Sequence, residues 1–222
     1  MDENRSVDVA HDLAGWRLAW YRLDLAAHPS GAAAAAAASA AVAEVARERL
    51  RGRNLVDLPV VAEVRRLFRE AGADPTRYRP SSEALIRRLL KGEELPAIHP
   101  LVDLNNCVSV ALTVPSCVMA DGSFTAPVRL RAGRPGERME SLRGDFDLAG
   151  KPLLEDARGP FGTPITDSLR VAVEQETTRA GMVVYLPASL LAAADVDAQL
   201  ATPSLSAIAQ WERVHESGDG AA

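Results

Sequence analysis

Trp16, Leu18 and Trp20 alternate with Arg17, Ala19 and Tyr21, a period of two that predicts an early, half-buried strand. His28-Pro29-Ser30-Gly31 breaks that pattern. The run from Ala32 to Leu50, mostly alanine, then has the highest helix propensity available, with Gly52 as its stop. A second helix is predicted from Leu58 to Ala71, capped by Asp57 and ended by Gly72, because Val61, Val64, Leu67, Phe68 and Ala71 recur at three-and-four spacing. A third opens at Pro80-Ser81-Ser82-Glu83, where a hydroxyl caps free amides and Glu83 sits against the helix dipole. Its expected buried stripe is Leu85, Ile86, Leu89 and Leu90, and Gly92 closes it. From Pro100 two periods compete: Leu101, Leu104, Val108 and Ala111 fit a helix, while Val108, Val110 and Leu112 fit a strand. Further on, Val128 to Arg131, Pro152 to Glu155, Leu169 to Val173 and Met182 to Leu186 read as strands between glycines and prolines. Pro187 to Leu200 and Thr202 to His215 read as two closing helices, with Ser217 to Ala222 as a disordered tail.

Composition narrows the class without naming a chemistry. A chain of 222 residues, 47% apolar, buries a real core as one compact unit, here expected to span the whole chain with its core at about 10–200. The longest apolar stretch, Ala32 to Ala43, is too short to span a bilayer, and no basic segment followed by an apolar one opens the chain. A soluble, cytoplasmic protein is expected. Cys107 and Cys117 sit in apolar stretches with no C-x-x-C pair, so they read as buried thiols rather than metal ligands. The formal charge of -5 argues against binding nucleic acid by bulk electrostatics. Between Val42 and Lys91, however, twelve basic residues stand against seven acidic ones. That local excess suits either a phosphate-facing surface or a merely solvated helix face.

The usual chemical signatures are missing: no G-x-S-x-G elbow, no phosphate-cradling loop, no H-E-x-x-H. What stands out is a series of polar residues in fixed contexts. These are DPTRYRPSSEALIRRLLKGEELP (Asp74 to Pro96), VDLNNCVS (Val102 to Ser109), RAGRPGE (Arg131 to Glu137), LLEDARG (Leu153 to Gly159) and TDSLR (Thr166 to Arg170). In this order and spacing they resemble the B3/B4 domain of the phenylalanyl-tRNA synthetase β subunit. Val102-Asp103-Leu104-Asn105-Asn106 matches the family's V-D-x-T-N helix with asparagine in the threonine place, Gly136-Glu137 its turn, and Asp156 its strand-ending aspartate. The R-P-S-x-E-A-L pattern is similar to that of freestanding members.

The resemblance implies an α/β (α+β) fold: a layered β/β/α sandwich with extra helices at both ends, and a helix over Pro100 to Leu112 whose asparagines face a pocket. It also implies hydrolysis of the ester of mischarged aminoacyl-tRNA, with the tRNA acceptor end as partner and neither metal nor organic cofactor. Tyrosine, the family's usual reject, is not expected as cargo. Thr113-Val114-Pro115-Ser116-Cys117 lacks the family's histidine, and Gly181-Met182-Val183-Val184-Tyr185 lacks its late glutamate. The expected substrate-binding residues are Asn105, Asn106, Ser109, Glu137, Asp167 and Ser168, and the expected phosphate contacts Arg79, Arg87 and Arg88. Each has a plainer reading. The asparagines suit helix-end capping or a buried network, Glu137 an exposed turn, Asp167 and Ser168 an Asx-turn, and the arginines a solvated face. Ser81 and Glu83 read as cap residues. Two other functions stay open: a non-catalytic tRNA- or RNA-binding module, and a small-molecule binder for an amino acid or nucleoside.

Overall fold

The computed structural model describes residues 7–25 and 30–218. Its centre is a four-stranded antiparallel sheet in the order β10-β2-β9-β3, formed by Gln210–Ser217, Trp16–Asp24, Arg179–Pro187 and Ser116–Ala120. β2 explains the layering. Trp16, Leu18 and Trp20 face one hydrophobic cluster, while Ala19, Tyr21 and Leu23 face another, so the strand is buried on both sides. The period of two was legible, but a half-buried strand was not what it meant, because helices cover the second face.

On the first face packs a second sheet in the order β1-β4-β7-β8: Val9–His11, Val128–Ala132, Pro152–Asp156 and Gly159–Gly162. Val128, Leu130, Leu154 and Phe161 from this sheet meet Trp16, Trp20, Met119 and Tyr185, and α2 (Pro59–Ala71) adds Val64, Leu67 and Phe68. On the other face lie α1 (Gly31–Leu50), α4 (Pro100–Leu112) and α5 (Ala193–Leu200), whose Ala35, Ala38, Leu104, Val108 and Val196 cover Tyr21, Met182 and Val184. The expected β/β/α sandwich is therefore present. The alanines of α1 have a packing purpose: small side chains let α1 lie close against α4, and Ala43, Ala46 and Leu50 continue into a third cluster with Ile86 and Leu89 of α3 (Ser81–Leu90). A separate hairpin, β5 (Arg138–Ser141) and β6 (Gly144–Asp147), projects beside the second sheet.

Several segments differ from their expected form. Thr202 to His215 is not a closing helix: after a four-residue helix, α6 (Pro203–Ser206), the chain pairs antiparallel with β2 as edge strand β10. Its exposed Glu212 and Arg213 flank half-buried Trp211 and Val214, a one-sided pattern that also suits a helix. Ser217 ends this strand, and 219–222 lie outside the described residues, as does the expected break at His28-Pro29. Leu169–Val171 is a 3₁₀ turn rather than a strand. The helix expected from Pro187 begins only at Ala193. Neither Asp57 nor Ser81 caps a helix with its side chain. Among the described residues no helix is long and apolar enough to cross a membrane.

Candidate functional site

α4 is the element on which the site rests. Leu101 and all residues from Asp103 to Val110 are buried, so this short helix is enclosed by α1, α3, α5 and the central sheet. His99 caps it, its Nδ1 accepting from Leu101 N at 3.3 Å, and Asp103 Oδ1 accepts from Ile98 N at 3.0 Å. Burial pulls the His99 pKa down and pushes that of Asp103 up. Asp103 of the V-D pair thus ties the preceding loop to the helix. At the other end Thr113 holds a left-handed φ of 60°, uncommon for a β-branched residue. Ser109 Oγ closes that turn by donating to Val114 O at 2.7 Å.

Val102, Asn105 and Asn106, on one face of α4, open onto a cavity of about 970 Å³. Ser116 and Val118 of β3 continue its deep wall, with Thr163, Ile165, Thr166 and Asp167 from the loop after β8. Asn105, Asn106, Ser116, Thr163 and Thr166 are all buried. α3 and its two ends form one side of the mouth with Arg79, Arg87, Arg88 and Lys91, and Arg143 at the hairpin tip forms part of the other. Leu90, Ile98 and Leu142, large apolar side chains left 41%, 60% and 54% exposed, also stand at this mouth. Of the expected core stripe of α3, Leu85 packs against the third cluster and also lines the cavity, while Leu90 lies at the cavity.

The arginines are organised by a buried anion. Glu83 is 1% exposed and accepts from Arg65 Nη1 at 3.0 and 2.9 Å. Arg79 Nε at 3.5 Å and Arg87 Nε at 3.2 Å approach the same carboxylate from one turn before and one turn after it. Three guanidinium groups around one carboxylate leave a local positive excess at the cavity mouth. Glu83 is therefore an anchor for the arginines and not a cap, a role the Arg79-x-x-x-Glu83-x-x-x-Arg87 spacing already carried. Arg88 is held by Glu93 at 3.2 Å and by Glu94 O at 2.7 Å.

Asp167 is fixed by its backbone. It bridges Gly162 of β8, and its carbonyl accepts from Leu142 N at 3.0 Å. Its Oδ1 is buried without a hydrogen-bond partner, and burial pushes its pKa up to about 7, against the opposing effects of the Cys117 thiol, the Thr163 amide and Arg143. Beneath it the Cys117 thiol donates to Thr163 O at 3.2 Å and lies 3.6 Å from Tyr185 Oη. Burial drives both of those groups well above their ordinary range.

All of these lining residues fall within 63–204, the span that matches the B3/4 domain family. The chain belongs to that family. The B3/4 domain is associated with tRNA binding and editing in the phenylalanyl-tRNA synthetase β subunit. Comparison with curated proteins gives no match.

Within this B3/4 domain the expected site residues separate into two groups. Asn105, Asn106, Asp167, Arg79, Arg87 and Arg88 converge on one cavity. Ser109, Glu137 and Ser168 do not line it. Glu137 is neither an exposed turn residue nor open to a ligand: Arg131, 5% exposed, donates to its two oxygens at 2.8 and 2.6 Å, also pairs with Glu155, and holds the Glu137 pKa low. The R-A-G-R-P-G-E segment is thus a locked turn. Its Gly133 leaves no room for a side chain, since a Cβ there would lie 1.9 Å from Leu148 O. Ser168 accepts from Arg170 N at 3.3 Å and donates to Glu140 O at 3.2 Å, fastening the 3₁₀ turn to β5. The Asp156 match is structural as well. Burial disfavours its charge, yet Arg170, at 2.7 Å, and the amides of Thr125 and Arg158 together keep its pKa low. Ser81, read as a cap, is a polar lining residue that sequence reasoning assigned elsewhere, and its Oγ is buried without a partner. Among the described residues no group of three or more histidine, cysteine or acidic side chains is arranged to hold a metal ion.

Proposed function

We propose that this chain is a cytoplasmic, trans-acting deacylase that hydrolyses mischarged aminoacyl-tRNA, working as a single B3/4 unit on the single-stranded acceptor end. The observation that carries the reading is the cavity itself: amide and carboxyl groups at its deep end, and an arginine-lined, partly apolar mouth at the other. Its volume of about 970 Å³ lies at the upper end for ligand pockets, larger than a lone amino acid requires and suited to an aminoacylated ribose with its base. Arg79, Arg87 and Arg88 are placed to meet the phosphates that follow, and Leu90, Ile98 and Leu142 offer surface for an unstacked base.

The chemistry asks little of the protein. An aminoacyl ester is already activated, and its neighbouring ribose hydroxyl assists attack. Water adds to the carbonyl carbon, the bond to the ribose oxygen breaks, and a proton passes to that oxygen. Asn105 and Asn106, each carrying donors and an acceptor, are suited to orient the water and to polarise the carbonyl. The cargo is not tyrosine in this reading: Met182 and Val184 of β9 belong to the helix-facing core and Val183 and Tyr185 to the sheet-facing core, so that strand offers the cavity no partner for a phenol.

The test is a panel of mischarged tRNAs, followed for loss of ester, with Asn106→Ala and Asp167→Ala alongside. Turnover on at least one species, lowered about tenfold or more by either substitution, is expected. Binding without turnover would replace the deacylase with a tRNA-binding module. Binding of free amino acid or nucleoside alone would point to a small-molecule sensor.

A further inference from the structure

Three buried side-chain oxygens on the cavity wall have no hydrogen-bond partner: Ser81 Oγ, Asn105 Oδ1 and Asp167 Oδ1. They come from three elements that hydrogen bonds to the backbone tie together. Ser81 N donates to Pro164 O at 2.9 Å, Ser116 Oγ donates to Asn105 O at 3.3 Å, and Cys117, the next residue of β3, donates to Thr163 O at 3.2 Å. Native proteins leave few buried polar atoms unpaired, so three around one cavity mark a place where a ligand completes the bonding. All three atoms can accept, and two of them, Asn105 Oδ1 and a carboxylate Asp167 Oδ1, can only accept; the Ser81 hydroxyl can also donate. Asp167 also lacks a counter-charge, since it forms no ion pair among the described residues and Arg143 acts only from longer range. Glu137, the other acidic group expected here, is already spoken for by Arg131. What Asp167 and Asn105 need is a positively charged group with several N–H donors, which describes a protonated amine.

We propose that the cavity floor is an ammonium site, in which Asp167, flanked by Asn105 and Ser81, receives the protonated amine of the ligand. The inference rests on the aminoacyl-ester reading, under which that amine is the α-ammonium, common to every cargo whatever its side chain. It follows that esters whose amine is blocked, as in peptidyl or N-acylated forms, are excluded as a class. Such a blocked amine brings one donor and no charge, and leaves the buried carboxylate uncompensated.

Non-hydrolysable amides of 3′-amino-3′-deoxyadenosine test this directly, with binding measured by calorimetry. The alanyl amide is expected to bind about ten- to a hundredfold more tightly than the propionyl amide, which lacks only the amine, as suits a hydrogen bond to a charged group. The Nα-acetyl-lysyl amide, whose cation sits on the side chain, is expected to be as weak as the propionyl amide. Asp167→Asn should bring the alanyl and propionyl affinities together, with its melting temperature confirming that it folds. The groups facing Asp167 are Cys117, Tyr185 and Arg143; burial drives the first two well above their ordinary range, away from the range in which Asp167 titrates. Alanyl affinity should therefore peak between about 7, where Asp167 ionises, and about 8, where an α-amine loses its proton, while propionyl affinity stays flat. Equal alanyl and propionyl affinities would overturn the ammonium site and leave the aminoacyl-ester reading standing. Tight Nα-acetyl-lysyl binding would overturn the α-amine assignment, and no binding by any amide would remove both readings.

Discussion

Glu83→Gln isolates the arrangement that organises the cavity mouth. Glu83 is 1% exposed and Arg65 12%, and the two meet through a pair of bonds at 3.0 and 2.9 Å. Removing one partner of so buried a pair leaves an uncompensated charge, at a cost of about 3 to 5 kcal/mol. Arg79 and Arg87, 41% and 42% exposed, reach the same carboxylate from water-accessible positions, so each adds only about 0 to 1 kcal/mol. Arg65 therefore dominates, and the substitution should lower stability by about 4 kcal/mol, read as a fall in urea midpoint at constant slope. Glutamine keeps the shape, which separates charge from packing. In an Arg65→Met background the same change should cost about 1 kcal/mol or less, giving a coupling of about 3 kcal/mol. Additive losses, within about 0.5 kcal/mol, would refute the claim that this pair is a buried unit. So would a wild-type stability that drops sharply at high salt, because a buried pair is poorly screened.

The remaining expectations are simpler to read. Gly133→Ala places a methyl against the Leu148 carbonyl, 1.9 Å from its oxygen, and should cost about 3 kcal/mol or prevent folding, as judged by thermal denaturation. Asp167 has its folded pKa raised to about 7 from an ordinary 3.8, so the native state binds more protons than the unfolded chain between those values. Stability from this group falls as pH rises through that window, and Asp167→Asn should stabilise the ligand-free protein by up to about 4 kcal/mol above the window and by little below it; equal gains at both ends would contradict the assignment. Cys107 and Cys117 are buried, and burial raises both thiols, to about 11 for Cys107, so a thiol reagent should label neither in the native protein and both after denaturation.

The helices were the more legible half of this sequence. α2 announces itself through Val61, Val64, Leu67 and Phe68, all buried, followed by Gly72 in a left-handed conformation. α4 was ambiguous by pattern because the helix is buried almost throughout and has no solvent-facing polar stripe to reveal its period, and the family resemblance settled it. β5 and β6 went unseen, since each of these four-residue strands offers a single apolar residue, Met139 or Phe146, between charged neighbours, too short an alternation to stand out. The site was legible in its chemistry more than in its members. Asn105, Asn106 and Asp167 line one cavity, while Glu137 and Ser168 are consumed by partners distant enough in sequence, or tight enough in geometry, that spacing could not reveal them. Ser81 was hidden by a local pattern, a serine pair ahead of a helix, that ordinarily means capping.

The enclosure of α4 has an implication for how such a protein diversifies. Its asparagines sit on a segment where almost any change in volume disturbs three neighbouring helices and a sheet, so they are tied to the integrity of the whole molecule. The opposite walls, supplied by the outward side of α3, the Leu142-Arg143 tip and the Ala172-Val173 loop, carry no comparable burden. Substitutions there can reshape what enters without endangering the scaffold, so relatives with different preferences are expected to share the asparagine helix and to diverge around it.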